Sequence, residues 1–309
     1  MTMSLKPHPL APSPTRVIAA FAAVYLIWGS TYLAIRVGVE SLPPFFMGAV
    51  RFLVAGLVML GLLVWRGATL PTLRQWRNCA VAGTVMLVGG NGLVNWAEQR
   101  VPSSAAALFI ASAPVWFAVF DWLRPGGTRP VAWIWVGVFV GLAGVLLLVW
   151  RSETIGVNGS LDTAGVLALW VATMCWASGS LFSRYTEKPG SSWMTAAAHM
   201  VTAGVGMAVI SLLLGEWKGF HLGSVSARSW AALAYLIVFG AWIAFSSYVW
   251  LLEVSTPAKV STYAYVNPVV AVFLGWLLLG ETVTARMAVA AVVIVVAVVI
   301  LTWPRRRAA

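Results

Sequence analysis

The sequence predicts an all-α integral membrane protein with ten transmembrane helices arranged as two inverted five-helix repeats. Three observations carry that prediction: the composition, a series of apolar runs of membrane-spanning length, and a fixed-offset similarity between the two halves of the chain.

Of 309 residues, 61% are hydrophobic and only 9% are charged, against roughly 25% charged in an ordinary soluble domain. So few charges cannot cover the surface of a water-soluble fold of this size, so lipid must solvate much of the exterior. The formal charge of +11 does not indicate nucleic acid, because that reading needs a basic face on a soluble domain and no soluble stretch is long enough. Cys79 and Cys175 both sit inside apolar runs and read as small buried hydrophobes rather than a disulfide or redox pair. Residues 1–16, rich in Pro and Ser, are expected to form a disordered cytoplasmic tail. The first apolar run follows a long leader and has no small-residue cleavage site after it, so it reads as a retained helix.

About 20 mostly apolar residues span the hydrocarbon core as a helix. Ten such runs occur, at 17–35, 43–65, 76–97, 102–122, 131–150, 163–182, 192–214, 229–252, 257–279 and 286–303. Basic residues concentrate in alternate linkers. Arg66, Arg74, Arg77, Arg124, Arg129, Arg184, Lys188, Lys259 and the basic tail 304–309 fall on the side of the N-terminus, and most acids, including Glu40, Glu98, Asp162 and Glu216, fall on the other. The positive-inside rule then puts both termini in the cytoplasm, and the even number of spans agrees. Trp65, Trp76, Trp122, Trp150, Trp193, Trp217, Trp230 and Trp303 lie near predicted helix ends, where amphipathic rings meet the membrane interface.

Adding 148 to a residue number takes Trp28 to Trp176, Ser30 to Ser178, Arg36 to Arg184, Arg51 to His199 and Gly56 to Gly204. Adding 154 takes Trp96 to Trp250, Pro114 to Pro268 and Trp122 to Trp276. The first five spans thus resemble the second five. Because five is odd, the second half starts on the opposite side of the membrane and the halves are inverted. Inverted repeats belong to transporters, where two similar halves rock about a site near the midplane.

Tyr25-Leu-Ile-Trp-Gly-Ser-Thr-Tyr in the first span, Arg51-Phe in the second, Pro102-Ser-Ser-Ala-Ala at the fourth, Asn267-Pro268 in the ninth and Gly280-Glu281 at its end resemble the EamA family of the drug/metabolite transporter superfamily. The run Ser261-Thr-Tyr-Ala-Tyr-Val-Asn-Pro-Val-Val is similar to its YedA-like exporter subgroup. The resemblance spans nearly the whole chain and implies two EamA repeats, at 17–150 and 163–303. It also implies a central cavity walled by spans 1–4 and 6–9, with 5 and 10 peripheral, and export of metabolites such as amino acids, or of drugs, across an inner membrane.

Polar side chains in hydrocarbon usually face the bundle interior. Asn91 and Asn95 lie four apart and share a helical face; their amides suit a polar solute, with interhelical packing as the competing reading. Tyr263 and Asn267 repeat that spacing in the ninth span. Pro114 and Pro268 leave the carbonyls of Ile110 and Ala264 without helical partners and are expected as paired interruptions or hinges. Trp28, Trp116, Trp170, Trp176 and Trp242 lie deep in spans. The expected solute-binding set is Trp28, Asn91, Asn95, Trp116, Trp170, Trp242, Tyr263 and Asn267. Arg51 is the basic residue deep in a span; it could hold a carboxylate or phosphate, but a structural role, bonding carbonyls or an acid such as Glu40, is favoured. His199, its repeat partner, and Glu98, read as a solvated rim residue, are the other candidates for ion coupling. Gly137, Gly141 and Gly144 form a face for close helix packing, within the chain or between chains.

No His-Glu-x-x-His, Gly-x-Ser-x-Gly, Cys-x-x-Cys or Walker pattern occurs, so an embedded enzyme is disfavoured and no cofactor or metal is expected. A channel-like facilitator or a scaffold is the other alternative. The expected partners are a small-molecule solute, membrane lipid and a proton or other ion, not nucleic acid, with the chain a monomer or weak homodimer.

Overall fold

The computed structural model describes residues 12–101, 106, 109–127, 129–149, 162–279 and 284–303. The Pro102 motif, Trp150, Gly280-Glu281, segment 304–309 and nearly all of the N-terminal tail lie outside the described residues, as does the side chain of Trp276. Within them every regular element is helical: α1 (Pro14–Gly38), α2 (Pro44–Trp65), α3 (Leu73–Ala97), α4 (Ala113–Leu123), α5 (Ala132–Val149), α6 (Thr163–Tyr185), α7 (Ser192–Leu213), α8 (Ala227–Val254), α9 (Tyr263–Leu279) and α10 (Ala285–Thr302), with short turns at Leu222–Ser224 and Pro257–Val260. Seven of them, α1, α2, α3, α6, α7, α8 and α10, are long and apolar enough to cross a membrane. This is an all-helical membrane protein.

Local chemistry moves several boundaries from their expected places. α1 takes in residues 14–16, which composition assigned to the disordered tail. Pro14 suits the first helical position, and the Val17 amide donates to the Ser13 carbonyl at 3.2 Å. α3 starts at Leu73 because Thr72 and Gln75 close a capping box. The fourth span, expected to be continuous over 102–122, turns at Ala111–Ser112, just before Pro114. The ninth span turns at Ser261–Thr262, and α9 then runs unbroken through Pro268.

Two π-helical stretches also match between the halves: Thr84–Gly92 within α3 and Leu236–Phe245 within α8. Departures of this kind widen the helix and turn backbone groups out of α register. Other equivalences follow the 148 offset. α2 and α7 both finish on a left-handed glycine, Gly67 (φ 85°) and Gly215 (φ 70°), a conformation that glycine adopts without a Cβ clash. Arg36, near the end of α1, donates to the Glu98 carbonyl at the end of α3, and Arg184, at the end of α6, donates to the Leu252 carbonyl near the end of α8. Each places a cation on the negative end of a helix dipole.

Packing repeats the pattern. α2 lies along α7 and α5 along α10; α1 lies against α8 and α9, as α6 lies against α3 and α4. At the α2–α7 crossing a methyl group on Gly56 would sit 2.7 Å from the Val201 amide nitrogen, and one on Gly204 2.7 Å from that of Leu53. The glycine face of α5 is used within the chain, Gly137 and Gly144 against Leu301 and Ile294 of α10 and Gly141 against Tyr265 of α9. It is not left over for a second copy.

The linkers gather at two ends. At one, Arg74 pairs with Glu187 (3.1 Å), Tyr185 donates to Asp121 (2.8 Å) and Lys188 pairs with Glu253 (3.6 Å). At the other, Ser41 donates to Ser229, Arg100 meets Asp162 at 3.7 Å, and the Glu216 carboxylate accepts from the Phe45 and Phe46 amides at the start of α2. Trp65, Trp193 and Trp303 are exposed near helix ends, as interfacial rings should be. α10 presents exposed Val289, Val292, Val295, Val296 and Val299, the surface of a helix bathed in lipid.

Candidate functional site

A cavity of about 80 Å³ lies between the halves. Its wall takes residues from α1, α2, α3, α6, α8 and α9 and from the fourth span. It occupies the half of the bundle where α1 and α3 finish and α2, α6 and α8 begin.

The floor is aromatic. Trp28 and its repeat partner Trp176 meet edge to face at 5.4 Å, and Tyr248 and Tyr263 pack against Trp28 at 4.9 and 5.0 Å. Beyond the floor, Tyr248 shares a 2.6 Å hydrogen bond with Ser180, and Tyr25 a 2.5 Å hydrogen bond with Thr262. Such offset and edge-on ring pairs pack tightly, and the buried hydroxyls are satisfied. The Trp28 indole donates to the Gly240 carbonyl at 3.3 Å, tying α1 to the π-helical stretch of α8.

Of the residues expected to bind solute, Trp28, Asn91, Tyr263 and Asn267 line the cavity. Asn267 is fully buried, and its amide nitrogen is placed to donate to the Tyr263 carbonyl (3.0 Å) and the Tyr25 carbonyl (3.3 Å). The other four do not belong to the wall. Asn95 is buried one turn past Asn91 and donates to the Pro44 carbonyl at 3.4 Å. Trp242 donates to the Ala55 carbonyl at 2.8 Å and ties α8 to α2. Trp116 packs on Phe120 and Trp170, and Trp170 is 43% exposed on the outside of the bundle. A deep position in a span does not distinguish a lipid-facing tryptophan from a cavity-facing one.

Sequence reasoning passed over Thr31, Tyr32 and Thr173 as wall residues, and it named Trp176 among the deep tryptophans without placing it in the expected set. The repeat could have found Trp176, since it is the equivalent of Trp28. Arg51 also lines the cavity. Its Nη1 donates to Asn91 Oδ1 at 3.5 Å and its guanidinium lies over the Phe52 ring at 4.8 Å. The suggested ion pair with Glu40 does not form, and Glu40 is exposed. Glu98 is fully buried rather than on a solvated rim. His199 is buried outside the cavity wall, with Nε2 3.4 Å from Ser183 Oγ. Cys79 and Cys175 are free thiols, buried and half-buried. Among the described residues no group of His, Cys, Asp or Glu could hold a metal ion.

A helical membrane bundle whose two halves both contribute to a central cavity is the architecture of a membrane transporter. Residues 15–150 and 163–303 match the EamA-like transporter family, and the chain belongs to that family, which is one of transporters and not of enzymes. It is 42% identical over 288 residues, 93% of this chain and 90% of the relative, to the Escherichia coli K12 protein named uncharacterized inner membrane transporter YedA. It is 23% identical over 285 residues, 90% of this chain and 94% of the relative, to the Bacillus subtilis protein named uncharacterized transporter YoaV. A solved crystal structure superposes with a TM-score of 0.75 at 22% identity, covering 93% of this chain and 97% of the other, which shows a shared fold.

Proposed function

We propose that this protein is a secondary carrier that exports small organic solutes, metabolites such as amino acids or drugs, across an inner membrane by alternating access. In this reading the chain crosses the membrane ten times as two inverted five-helix halves with both termini in the cytoplasm. The observation that carries it is the cavity itself. Equivalent helices of both halves wall it, and its floor is an aromatic cluster built around the equivalent pair Trp28 and Trp176. A site between two rocking halves is what alternating access requires. The end bearing Arg66, Arg74, Arg124 and Lys188 would face the cytoplasm under the positive-inside rule. The floor would then close the cytoplasmic side, leaving the cavity turned outward.

Trp28, Asn91, Tyr263 and Asn267, joined by Arg51, form the proposed solute site. Counterflow by the purified protein in proteoliposomes, with a panel of labelled amino acids, organic acids and organic cations, is expected to give saturable exchange. Asn91→Ala and Asn267→Ala are expected to lower that exchange at least about 10-fold, as loss of a buried polar contact to solute does, with expression and insertion intact. Flux that grows linearly with solute would favour a channel-like facilitator. Wild-type exchange in both variants would remove these residues from the site.

A further inference from the structure

Arg51 is 3% exposed in the wall of an otherwise largely apolar cavity, yet it makes no ion pair among the described residues. Among the described residues no aspartate or glutamate lines that cavity. Nη1 of the guanidinium reaches Asn91 Oδ1 at 3.5 Å, and its face lies over the Phe52 ring. Nε is buried without a hydrogen-bond partner. Nη2 lies against Gly240, where a methyl group would come within 2.9 Å of it. A guanidinium grips a carboxylate through two parallel hydrogen bonds. Arginine stays protonated at any physiological pH, and a buried charge without a counter-charge is unfavourable.

We propose that the cavity takes a solute carrying one carboxylate on an apolar body, and that the guanidinium of Arg51 receives that carboxylate. The charge argument selects a single negative charge: one carboxylate neutralises Arg51, whereas a dianionic phosphate would leave a buried negative charge in its place. The rest of the wall suits an apolar body, with Trp28, Ile35, Phe52, Val94 and Phe245 around it. This inference rests on the reading of the cavity as the solute site and narrows that reading to organic monocarboxylates.

The test is ligand-induced thermal stabilisation of the full-length protein in detergent, with a matched set of probes at millimolar concentration. The set is phenylacetate and hexanoate, their uncharged amides, phenethylamine as the cation, and phenyl phosphate as the dianion. At least one of the two acids should raise the melting temperature, and its amide, the amine and the phosphate should raise it less. Arg51→Gln should weaken binding of the acid at least about 10-fold, the loss of one charge-assisted bidentate pair. Arg51→Lys, which keeps the charge but not the fork, should retain part of the shift. No shift from either acid, an equal shift from the amide or the amine, or an undiminished shift in Arg51→Gln would overturn the proposal. A larger shift from phenyl phosphate would overturn the choice of carboxylate. If Arg51→Gln does not fold, the wild-type comparison of acid, amide and amine still decides. An acid-selective shift without counterflow of any solute would sink the carrier reading and leave the anion site standing. Counterflow of cations or neutral solutes alone, without an acid-selective shift, would do the reverse.

Discussion

At the scale of single residues, Gly240 controls how the cavity presents its charge. Its missing side chain admits both Arg51 Nη2 and the Thr31 methyl, and its carbonyl accepts from the Trp28 indole. Gly240→Ala should push the guanidinium toward Asn91 and raise the KM for exchange several-fold while the protein still inserts, since the added methyl touches a flexible side chain rather than backbone. An unchanged KM would mean that Arg51 is not held where solute meets it. The amides illustrate how far residue-level reading goes. Spacing put Asn91 and Asn95 on one face, and both are on the inward side of α3. Asn95, however, is turned to the start of α2, where it donates to the Pro44 carbonyl, while Val94 beside it reaches the wall. A four-residue spacing gives a shared face only approximately, and the π-helical winding before it shifts that register. The tryptophans failed for a related reason: their depth was legible, but the face each presents is set by neighbours far away in the chain, as α4 and α6 do for Trp116 and Trp170.

At the scale of elements, helix existence was largely legible because a crossing helix needs a long apolar run and little else. The breaks were not. Nothing in residues 84–92 or 236–245 except a cluster of glycines in the first distinguishes π from α winding, and the two stretches share little sequence. Their correspondence appears only when the helices are laid side by side. The α2–α7 crossing is where the repeat has its clearest energetic consequence. Gly56 and Gly204 each hold the opposing backbone so close that a methyl group would fall 2.7 Å from an amide nitrogen. Backbone cannot yield as a flexible side chain can, so Gly56→Ala and Gly204→Ala should each destabilise the bundle by about 1–3 kcal/mol, the usual penalty of overpacking. Their melting temperatures should fall together, since the two sites are geometrically equivalent. Tolerance at one and collapse at the other would show that the halves do not share this crossing as equals.

At the scale of the whole molecule, the question is which end of the bundle faces the cytoplasm. The contacts divide the linkers into two sets. Thr69, between α2 and α3, belongs to the end that carries Arg66, Arg74 and Lys188. Ser224, between α7 and α8, belongs to the end where Ser41 meets Ser226 and Ser229. Both residues are exposed, so a cysteine at either should react freely from its own side. In a background with Cys79→Ala and Cys175→Ala, a membrane-impermeant maleimide applied to intact cells should label Ser224→Cys and spare Thr69→Cys until the cells are opened. The reverse pattern would place the basic end outside, against the charge rule, and would turn the cavity toward the cytoplasm in this conformation. That outcome would leave the fold, the repeat and the proposed solute site unchanged. It would change the direction in which the aromatic floor must part, because Trp28, Trp176, Tyr248 and Tyr263 would then separate the solute from the outside of the cell rather than from its interior.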